Sequence, residues 1–263
     1  MPRQIFGLLL DIDGVLYIGN HRIPGALEAL TFLHKNKIPF LLITNTTRRS
    51  RVTIWHHLKR MGFPVEQSQI FTASLAAIDW LENHSVRQIS VMLSGSVVNE
   101  FKNFRISNSN PEYVVIGDLG SDLTFEKLNN AFRLIMKGAK ILALQKSRYW
   151  QTEEGLFIDA GAIVAALEFA TRKRAIVIGK PKKDFFLKAA QRLNISPENL
   201  AIVGDDLETD IRGGKEAGLF AIAVKTGKFR EDVFKKSKIK PDAILNSIGE
   251  LPKFLKKIRG DLK

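Results

Sequence analysis

The sequence of 263 residues contains no cysteine. The protein therefore has no disulfide framework, no thiolate zinc site and no cysteine nucleophile. No apolar stretch approaches the roughly 20 residues that a membrane-spanning helix needs. Two acids interrupt the short apolar run of the N-terminal MPRQIFGLLLDIDG, which is not the pattern of a signal peptide. We therefore expect a soluble, cytoplasmic protein.

Basic residues outnumber acidic ones by 40 to 27, and the formal net charge is +13. Such an excess favours anionic partners, for example phosphorylated metabolites or nucleic acid. The basic residues become denser in 228–240 and 252–263, where they alternate with apolar residues. This alternation indicates amphipathic helices with a solvated face. A nucleic-acid interface is disfavoured because no aromatic-interleaved binding motif accompanies the charge.

Apolar runs of strand length alternate with stretches of helical periodicity in both outer parts of the chain. The predicted strands are 5–10, 39–45, 69–73, 199–206 and 218–224, and the predicted helices are 24–35, 48–61, 74–83 and 210–218. Fully apolar strands that alternate with helices are typical of a parallel sheet covered on both faces. The predicted fold class is therefore α/β, with a doubly wound parallel sheet.

The middle of the chain predicts a second α/β unit inserted into the first. Its predicted strands are 87–93, 112–118 and 140–145, and its predicted helices are 124–138 and 159–173. The first unit resumes at AIVIGKP, 175–181. We therefore predict a core domain formed by 1–79 and 176–263, and an inserted α/β domain formed by 80–175.

Ligands of open parallel sheets bind beyond the carboxyl ends of the strands. Four predicted strands end in side chains that can carry chemistry, whereas the strand 218–224 is expected to offer nothing comparable. The candidates are Asp11, Asp13, Thr44, Asn45, Lys180, Asp205, Asp206 and Asp210.

This set of residue types suits phosphoryl transfer through a covalent intermediate. One carboxylate can attack phosphorus, and a second carboxyl group can protonate the leaving oxygen and then activate water. Clustered carboxylates suit Mg²⁺, which takes oxygen ligands. A lysine and hydroxyl donors can hold the equatorial oxygens, over which the charge of the transferring group spreads.

The stretches DIDGVLY, ITN, GKP and GDDLETD, in this order, resemble the four motifs of the haloacid dehalogenase (HAD) superfamily, phosphatase branch. DGVLYIGNHRIPGA and VKTGKF are similar to the NagD-like group of that superfamily. The resemblance covers nearly the whole chain. It implies a Rossmann-like HAD core and an inserted cap domain that covers the site and selects the leaving group.

The resemblance also implies residue roles. Asp11 would be the nucleophile and a Mg²⁺ ligand. Asp13 would be the general acid and base, and would bind Mg²⁺ through its backbone carbonyl. Thr44 and Asn45 would bind the phosphoryl group, and Lys180 would neutralise that group and position Asp11.

The last motif would supply a metal ligand, Asp205. Asp206 or Asp210 would hold metal-bound waters or orient Lys180, and Asp210 is also expected to cap the following helix. The family usually continues ITN with asparagine and serine, whereas this chain has threonines at 46–47. No role is therefore assigned to that pair.

Simpler interpretations of the motifs fit the sequence less well. An EF-hand loop starting at Asp11 fails because Val15 and Arg22 would occupy ligand positions. A dehalogenase is disfavoured because Asp13 suits proton transfer to a phosphate ester. The five histidines show no metal-binding spacing. The SRYW segment, 147–150, is interpreted as a packed strand and turn in preference to a substrate-recognition element.

The sequence thus predicts a Mg²⁺-dependent phosphatase acting on a small phosphorylated molecule, with a homodimer through the cap implied by the resemblance. Three alternatives stay open at this point. They are a regulatory protein that kept the fold without turnover, a nucleic-acid-binding protein, and a phosphotransferase.

Overall fold

The computed structural model describes residues 4–152 and 155–259. The ends of the predicted core domain, 1–3 and 260–263, lie outside the described residues. The strands, numbered in chain order, are β1 (Gly7–Asp11), β2 (Tyr17–Ile18), β3 (His21–Arg22), β4 (Phe40–Thr44), β5 (Ile70–Thr72), β6 (Gln88–Met92), β7 (Arg105–Ile106), β8 (Tyr113–Ile116), β9 (Lys140–Ala143), β10 (Tyr149–Thr152), β11 (Gly155–Ile158), β12 (Ile176–Val177), β13 (Leu200–Gly204), β14 (Phe220–Val224) and β15 (Ala243–Leu245).

The helices are numbered in the same way. They are α1 (Ala26–Lys35), α2 (Arg51–Arg60), α3 (Ala73–Asn83), α4 (Phe125–Met136), α5 (Ala160–Thr171), α6 (Lys183–Leu193), α7 (Arg212–Glu216), α8 (Glu231–Lys236) and α9 (Leu251–Arg259). A one-turn π-helix, Leu207–Ile211, directly precedes α7. In the part of the chain that the structure describes, no helix is both long and apolar enough to cross a membrane.

The chain forms two compact units. Unit 1 is Met1–Thr44, Trp55–Phe71 and Lys180–Lys263, and unit 2 is Asn45–Ile54 and Thr72–Gly179. The chain passes between the units four times, at 44/45, 54/55, 71/72 and 179/180. The domain boundaries expected from the sequence, 79/80 and 175/176, remain a prediction about folding domains.

Unit 1 is built on a six-stranded sheet with the order β15-β14-β13-β1-β4-β5. The central strand β1 pairs in parallel with β13 on one side and with β4 on the other. The chain therefore proceeds outward from β1 in one direction and later returns to build the other side. This reversal next to β1 is the topological switch point at which doubly wound sheets bind ligands.

The strands of this sheet are buried because their sequences are apolar on both faces. Every residue of β1, β4 and β13 is buried. Helix α1 buries its apolar stripe of Ala26, Ala29, Leu30 and Leu33. Such a sheet, covered on both faces, holds its strand ends rigidly, which is what a site at those ends requires.

Unit 2 contains a five-stranded sheet with the order β12-β9-β8-β6-β7, and its neighbouring strands pair in parallel. Helices α4 and α5 pack together, and Ile135 and Val164 belong to the core that they share with the sheet. Strands β10 and β11 form a separate antiparallel hairpin. The SRYW segment lies at the start of this hairpin, in agreement with its interpretation as a strand.

The sequence patterns located most of the strands and helices of both sheets. The strand predicted within 175–181 as part of the core is an exception, because it forms β12 and pairs with β9 in the sheet of unit 2. The patterns did not predict β7, β15, or the β2–β3 and β10–β11 hairpins, which are all short. They also missed α6, although its buried residues Phe185, Phe186, Ala189 and Ala190 recur at helical spacing. The basic segments near the end of the chain form α8 and α9. Helix α9 buries Leu251 and Leu255 and leaves Lys253, Lys256 and Lys257 exposed, as expected of an amphipathic helix.

Candidate active site

The candidate site lies at the carboxyl edge of the sheet of unit 1. Asp11 is the last residue of β1, and the pairing of Leu10 with Val203 places the end of β13 beside it. Asp205 follows β13 directly, and both carboxyl side chains are buried. The strand order thus brings two acids together that are far apart in the sequence.

A buried lysine joins the acids of this edge. The Nζ atom of Lys180 lies 2.7 Å from Oδ1 of Asp11 and 2.6 Å from Oδ1 of Asp210. The side chain of Lys180 is only 3% exposed, so solvent screens these ion pairs little. The ammonium therefore fixes the relative positions of two carboxylates that would otherwise repel each other.

The one-turn π-helix carries Asp210 to the lysine. Asp206 caps this turn, because its side chain accepts hydrogen bonds from the N–H groups of Glu208 and Thr209 at 2.9 and 3.1 Å. The capping residue is therefore Asp206, and the expectation that Asp210 caps the helix is wrong. Asp210 is fully buried and points its carboxylate to Lys180. Such π-turns are often found at functional sites.

Glycines allow the turn and the lysine segment to pack closely. A Cβ atom on Gly213 of α7 would lie 2.7 Å from the carbonyl oxygen of Pro181, the residue after Lys180. A Cβ atom on Gly204 would lie 2.5 Å from Oδ2 of Asp210. Larger side chains at these positions would push Asp210 and Lys180 apart.

Asp205 is held between two glycines of neighbouring loops. A Cβ atom would lie 2.0 Å from its Oδ2 atom if placed on Gly14, and 1.9 Å if placed on Gly227. The backbone N–H of Lys228 donates a hydrogen bond to the same oxygen at 2.6 Å. The carboxylate therefore has an orientation that the backbone of this turn and the two glycines define.

Burial and mutual repulsion dominate the electrostatics of the three acids. Burial, and then the charge of Asp210, raise the pKa of Asp11 to about 7, although Lys180 acts in the opposite direction. Burial and the charges of Asp11 and Asp210 raise the pKa of Asp205 well above its usual range. Burial also raises the pKa of Asp210 against the effect of Lys180.

In Lys180, unlike in the acids, the surroundings favour the charged form. Burial alone would lower its pKa, but the charges of Asp11 and Asp210 outweigh burial and raise the pKa above the ordinary lysine value. The ammonium therefore stays charged throughout the physiological range, and one positive charge faces three acids.

The acid group can hold a metal ion. One carboxylate oxygen each of Asp11, Asp205 and Asp210 lies within 4.8 Å of the others. Oxygen donors of this kind are the ligands that Mg²⁺ prefers. Burial, and then repulsion between the acids, raise the pKa values of Asp11 and Asp205, and a bound cation would offset that repulsion. The residues therefore fit a hard divalent cation.

The remaining candidates of unit 1 lie at the same edge. Asp13 is exposed, and its charge contributes to the raised pKa of Asp11. Thr44 is buried at the end of β4 and directly follows Ile43, the pairing partner of Asp11. The Asp206 carboxylate lies 3.6 Å from Nζ of Lys228.

Asn45, the next residue after Thr44 in the chain, belongs to unit 2 and is half-buried. Within that unit, Oδ1 of Asn45 would lie 2.5 Å from a Cβ atom on Gly179. Thr47 is buried, and its hydroxyl accepts a hydrogen bond from the N–H of Asp118 at 2.8 Å. Thr47 therefore has a packing role inside unit 2.

The strand 218–224 was expected to end in no side chains comparable with those of the other four strands, but the turn after it does reach the site. The residues after β14 include Thr226, Gly227 and Lys228, which contact Gly14 and Asp205. Backbone N–H groups and glycines make most of these contacts, so the types of side chain in this turn did not predict that it reaches the site. The sequence did mark this turn in another way, because it lies in the VKTGKF stretch that resembles the NagD-like group.

The chain is similar to known proteins in both sequence and structure. Residues 8–107 match the family model "Haloacid dehalogenase-like hydrolase", and residues 177–251 match the model "HAD-hydrolase-like". The chain is 37% identical over 228 residues to haloacid dehalogenase-like hydrolase domain-containing protein 2 from Bos taurus, which covers 87% of each chain. It is 33% identical over 250 residues to the Homo sapiens phospholysine phosphohistidine inorganic pyrophosphate phosphatase, with 93% of this chain and 92% of that protein covered.

Solved structures give the same result. The 4-nitrophenylphosphatase from Thermotoga maritima superimposes with a TM-score of 0.90 at 30% identity, covering 95% of this chain and 97% of that one. NagD from E. coli superimposes with a TM-score of 0.86 at 28% identity, covering 94% and 98%. These matches confirm the predicted fold class and the resemblance stated from the motifs.

Replacing Lys180 by Met should destabilise the metal-free protein strongly. The change leaves Asp11 and Asp210 buried without their cation, and breaking a buried pair in this way costs about 3–5 kcal/mol. Urea denaturation at about pH 8 measures the free energy of unfolding. Lys183→Met, at an exposed position of α6, is the control and should change little. A similar stability of both variants would contradict the bridging role of Lys180.

The raised carboxyl pKa values also predict a pH dependence. Between the ordinary value of 3.8 and about 7, the folded protein binds a proton on Asp11 that the unfolded chain has released. The contribution of the acid group to stability is therefore present at low pH and is lost as pH rises through this window. Asp205→Asn removes one buried carboxylate, and so should stabilise the metal-free protein at about pH 8.

The expected gain is on the order of 1 kcal/mol or more at pH 8 and should shrink towards pH 5. Thermal unfolding in a chelator across this range measures it. Asp122→Asn, at an exposed position of unit 2, serves as the control. A loss of stability in Asp205→Asn at pH 8 would show that repulsion within the acid group is not dominant.

Proposed function

Because this chain belongs to the haloacid dehalogenase-like hydrolase family, we propose that it is a Mg²⁺-dependent phosphatase that uses Asp11 as its nucleophile. The observation that carries the proposal is the buried Lys180 bridge between Asp11 and Asp210, beside Asp205, at the switch point of the sheet. The names of two relatives, a phospholysine phosphohistidine inorganic pyrophosphate phosphatase and a 4-nitrophenylphosphatase, support the same reaction class.

The reaction has two steps that use the same acids. A carboxylate oxygen of Asp11 attacks phosphorus, and the bond from phosphorus to the leaving oxygen breaks as Asp13 donates a proton to that oxygen. Asp13 then takes a proton from water, whose oxygen attacks the phosphorus of the aspartyl-phosphate. The bond between phosphorus and Asp11 breaks, and inorganic phosphate leaves.

The two acids suit unequal roles because their surroundings differ. Asp11 is buried and held by Lys180, so its carboxylate has a fixed position for attack. Asp13 is exposed, and an exposed carboxyl group can exchange protons with solvent between the two steps. Thr44, at the end of β4, and Asn45 are assigned to binding of the phosphoryl oxygens.

The cation would be held by carboxylate oxygens of Asp11 and Asp205 and by the backbone carbonyl of Asp13, with Asp210 beside them. When bound, Mg²⁺ supplies positive charge that offsets the acids and the phosphoryl group. Lys180 supplies the permanent part of this charge and favours the ionised form of Asp11 against the effect of burial. The small phosphorylated substrate is therefore expected to bind as its dianion beside Lys180.

Asp11→Asn tests the nucleophile. An amide cannot form the acyl phosphate, so release of phosphate from 4-nitrophenyl phosphate should fall by about 10³-fold or more in saturating Mg²⁺. Asp122→Asn should keep wild-type activity. Intact-mass measurement after acid quenching should detect a phosphorylated wild-type protein and no phosphorylated Asp11→Asn protein.

Four outcomes would count against the proposal. Activity retained by Asp11→Asn would exclude this nucleophile. Activity of the wild type that is insensitive to a chelator would exclude the metal. Substrate consumed without release of phosphate would identify a phosphotransferase, and no turnover of any phosphorylated metabolite would favour a regulatory protein.

We also propose that unit 2 forms a homodimer. It exposes large apolar side chains, with Phe169 of α5 at 89%, Ile158 of β11 at 71% and Leu156 at 65%. Leu156 and Ile158 are two residues apart in β11 and therefore share one face of it, and contiguous exposed apolar patches commonly mark protein interfaces. A second copy of the chain presents the same surface, which suits the isologous contact of a two-fold dimer.

Phe169→Glu should therefore convert a dimer into a monomer, since a buried charge without a partner opposes association. Sedimentation velocity at micromolar concentration measures the mass. Val233→Glu, at a 53% exposed position of unit 1, is the matched control and should stay dimeric. A monomeric wild type, or a Phe169→Glu dimer of unchanged stability, would refute this interface.

A further inference from the structure

The turn after β14, formed by Thr226, Gly227 and Lys228, contacts the loops that carry the acids on both sides of the switch point. The Thr226 hydroxyl donates a hydrogen bond to the carbonyl oxygen of Gly14 at 2.6 Å. The Lys228 N–H donates to Oδ2 of Asp205 at 2.6 Å. This turn lies outside the four motifs that carry the proposed chemistry, and it links the loop after β1 to Asp205.

Close packing leaves the Asp205 carboxylate little freedom beside this turn. Gly227 has a φ of +57°, and a Cβ atom there would lie 1.9 Å from Oδ2 of Asp205 and 2.7 Å from the Cα atom of Gly14. Any larger residue would have to displace either the carboxylate or the loop. Glycine is therefore required both for the backbone conformation and for the approach to Asp205.

The side chain of Lys228 makes a weaker contribution. Its ammonium lies 3.6 Å from Oδ2 of Asp206, in a pair whose side chains are 38% and 20% exposed. Partly exposed ion pairs contribute little because solvent screens them. The hydrogen bond from the backbone N–H to a buried carboxylate is charge-assisted and is the stronger contact. Positioning of Asp205 therefore depends on the path of the turn, which Thr226 anchors to Gly14.

We propose that the Thr226–Gly227–Lys228 turn is a positioning element for Asp205 and thereby sets the affinity of the acid group for its divalent cation. The inference rests on the proposed function, because it takes the cation to be Mg²⁺. Partners that orient metal ligands in this way commonly change affinity by about 10- to 100-fold when removed. Thr226 is a positioning residue, since its contact is to the carbonyl of Gly14.

Thr226→Val removes the hydroxyl with little change of shape, and Thr226→Ser retains it. Thr226→Val should raise the Mg²⁺ concentration for half-maximal thermal stabilisation, measured without substrate, by about tenfold. The Mg²⁺ half-saturation of phosphate release should rise in parallel, while the KM for 4-nitrophenyl phosphate at saturating Mg²⁺ stays the same. Thr226→Ser should behave as the wild type.

Two further variants complete the series. Gly227→Ala keeps every hydrogen-bonding group but crowds Asp205, so it should weaken Mg²⁺ binding at least as much as Thr226→Val. Lys225→Ala alters an exposed neighbour that pairs with Glu231 at 3.4 Å, and should leave the Mg²⁺ response unchanged. A merely structural role of Thr226 would lower the melting temperature in a chelator without moving the Mg²⁺ half-saturation.

An unchanged Mg²⁺ half-saturation in Thr226→Val and Gly227→Ala overturns the positioning role and leaves the proposed phosphatase in place. A wild type whose melting temperature and activity do not respond to Mg²⁺ overturns both. The two failures are distinguishable because the wild type is measured in the same series.

Discussion

The buried ammonium of Lys180 is the contact on which the carboxyl edge of the sheet depends. It hydrogen bonds to Asp11 and Asp210, which lie on two sides of the chain's reversal at β1. Asp11, Asp205 and Asp210 each place a carboxylate oxygen within 4.8 Å of the others in a buried position. Without the lysine charge, these acids could be accommodated there only if they were protonated. The π-turn places Asp210 in this contact, and the nearby glycines Gly204 and Gly213 leave room for Asp210 and Lys180 to approach each other.

Much of this site could be predicted from the sequence because each strand that ends at it is a continuous apolar run. Such runs are typical of buried parallel strands, and parallel strands align their carboxyl ends. The acids of 11–13 and 205–210 therefore had to lie near one edge of the sheet. The lysine of GKP follows β12, which belongs to the sheet of unit 2, so its place at this edge was implied by the family resemblance and not by strand alignment. The chemistry of the side chains then narrowed the reaction to phosphoryl transfer, and the order of the motifs indicated the family.

Other features depend on contacts that no local pattern records. The turn at 226–228 acts through backbone N–H groups and through the absence of side chains, and neither has a characteristic residue type. The cap of the π-turn is Asp206, because the helix begins three residues earlier than its amphipathic pattern suggested. The association of 45–54 with unit 2 arises from tertiary contacts such as that between Thr47 and Asp118. Sequence periodicity describes which face is buried but not which partner covers it.

The charges of the acid group also explain why the site would combine a fixed cation, the Lys180 ammonium, with an exchangeable one, the proposed Mg²⁺. One lysine against three carboxylates leaves two negative charges, which is the charge that a single divalent ion offsets. A second buried lysine could offset only one of them, and its N–H groups would hold carboxylate oxygens in permanent hydrogen bonds. A nucleophile must instead release its oxygen to phosphorus. A metal ion bound by several oxygens neutralises the acids while its solvent-derived ligands can still exchange. The fixed lysine would therefore set the geometry of Asp11, and the exchangeable ion would set the charge that an incoming dianion meets.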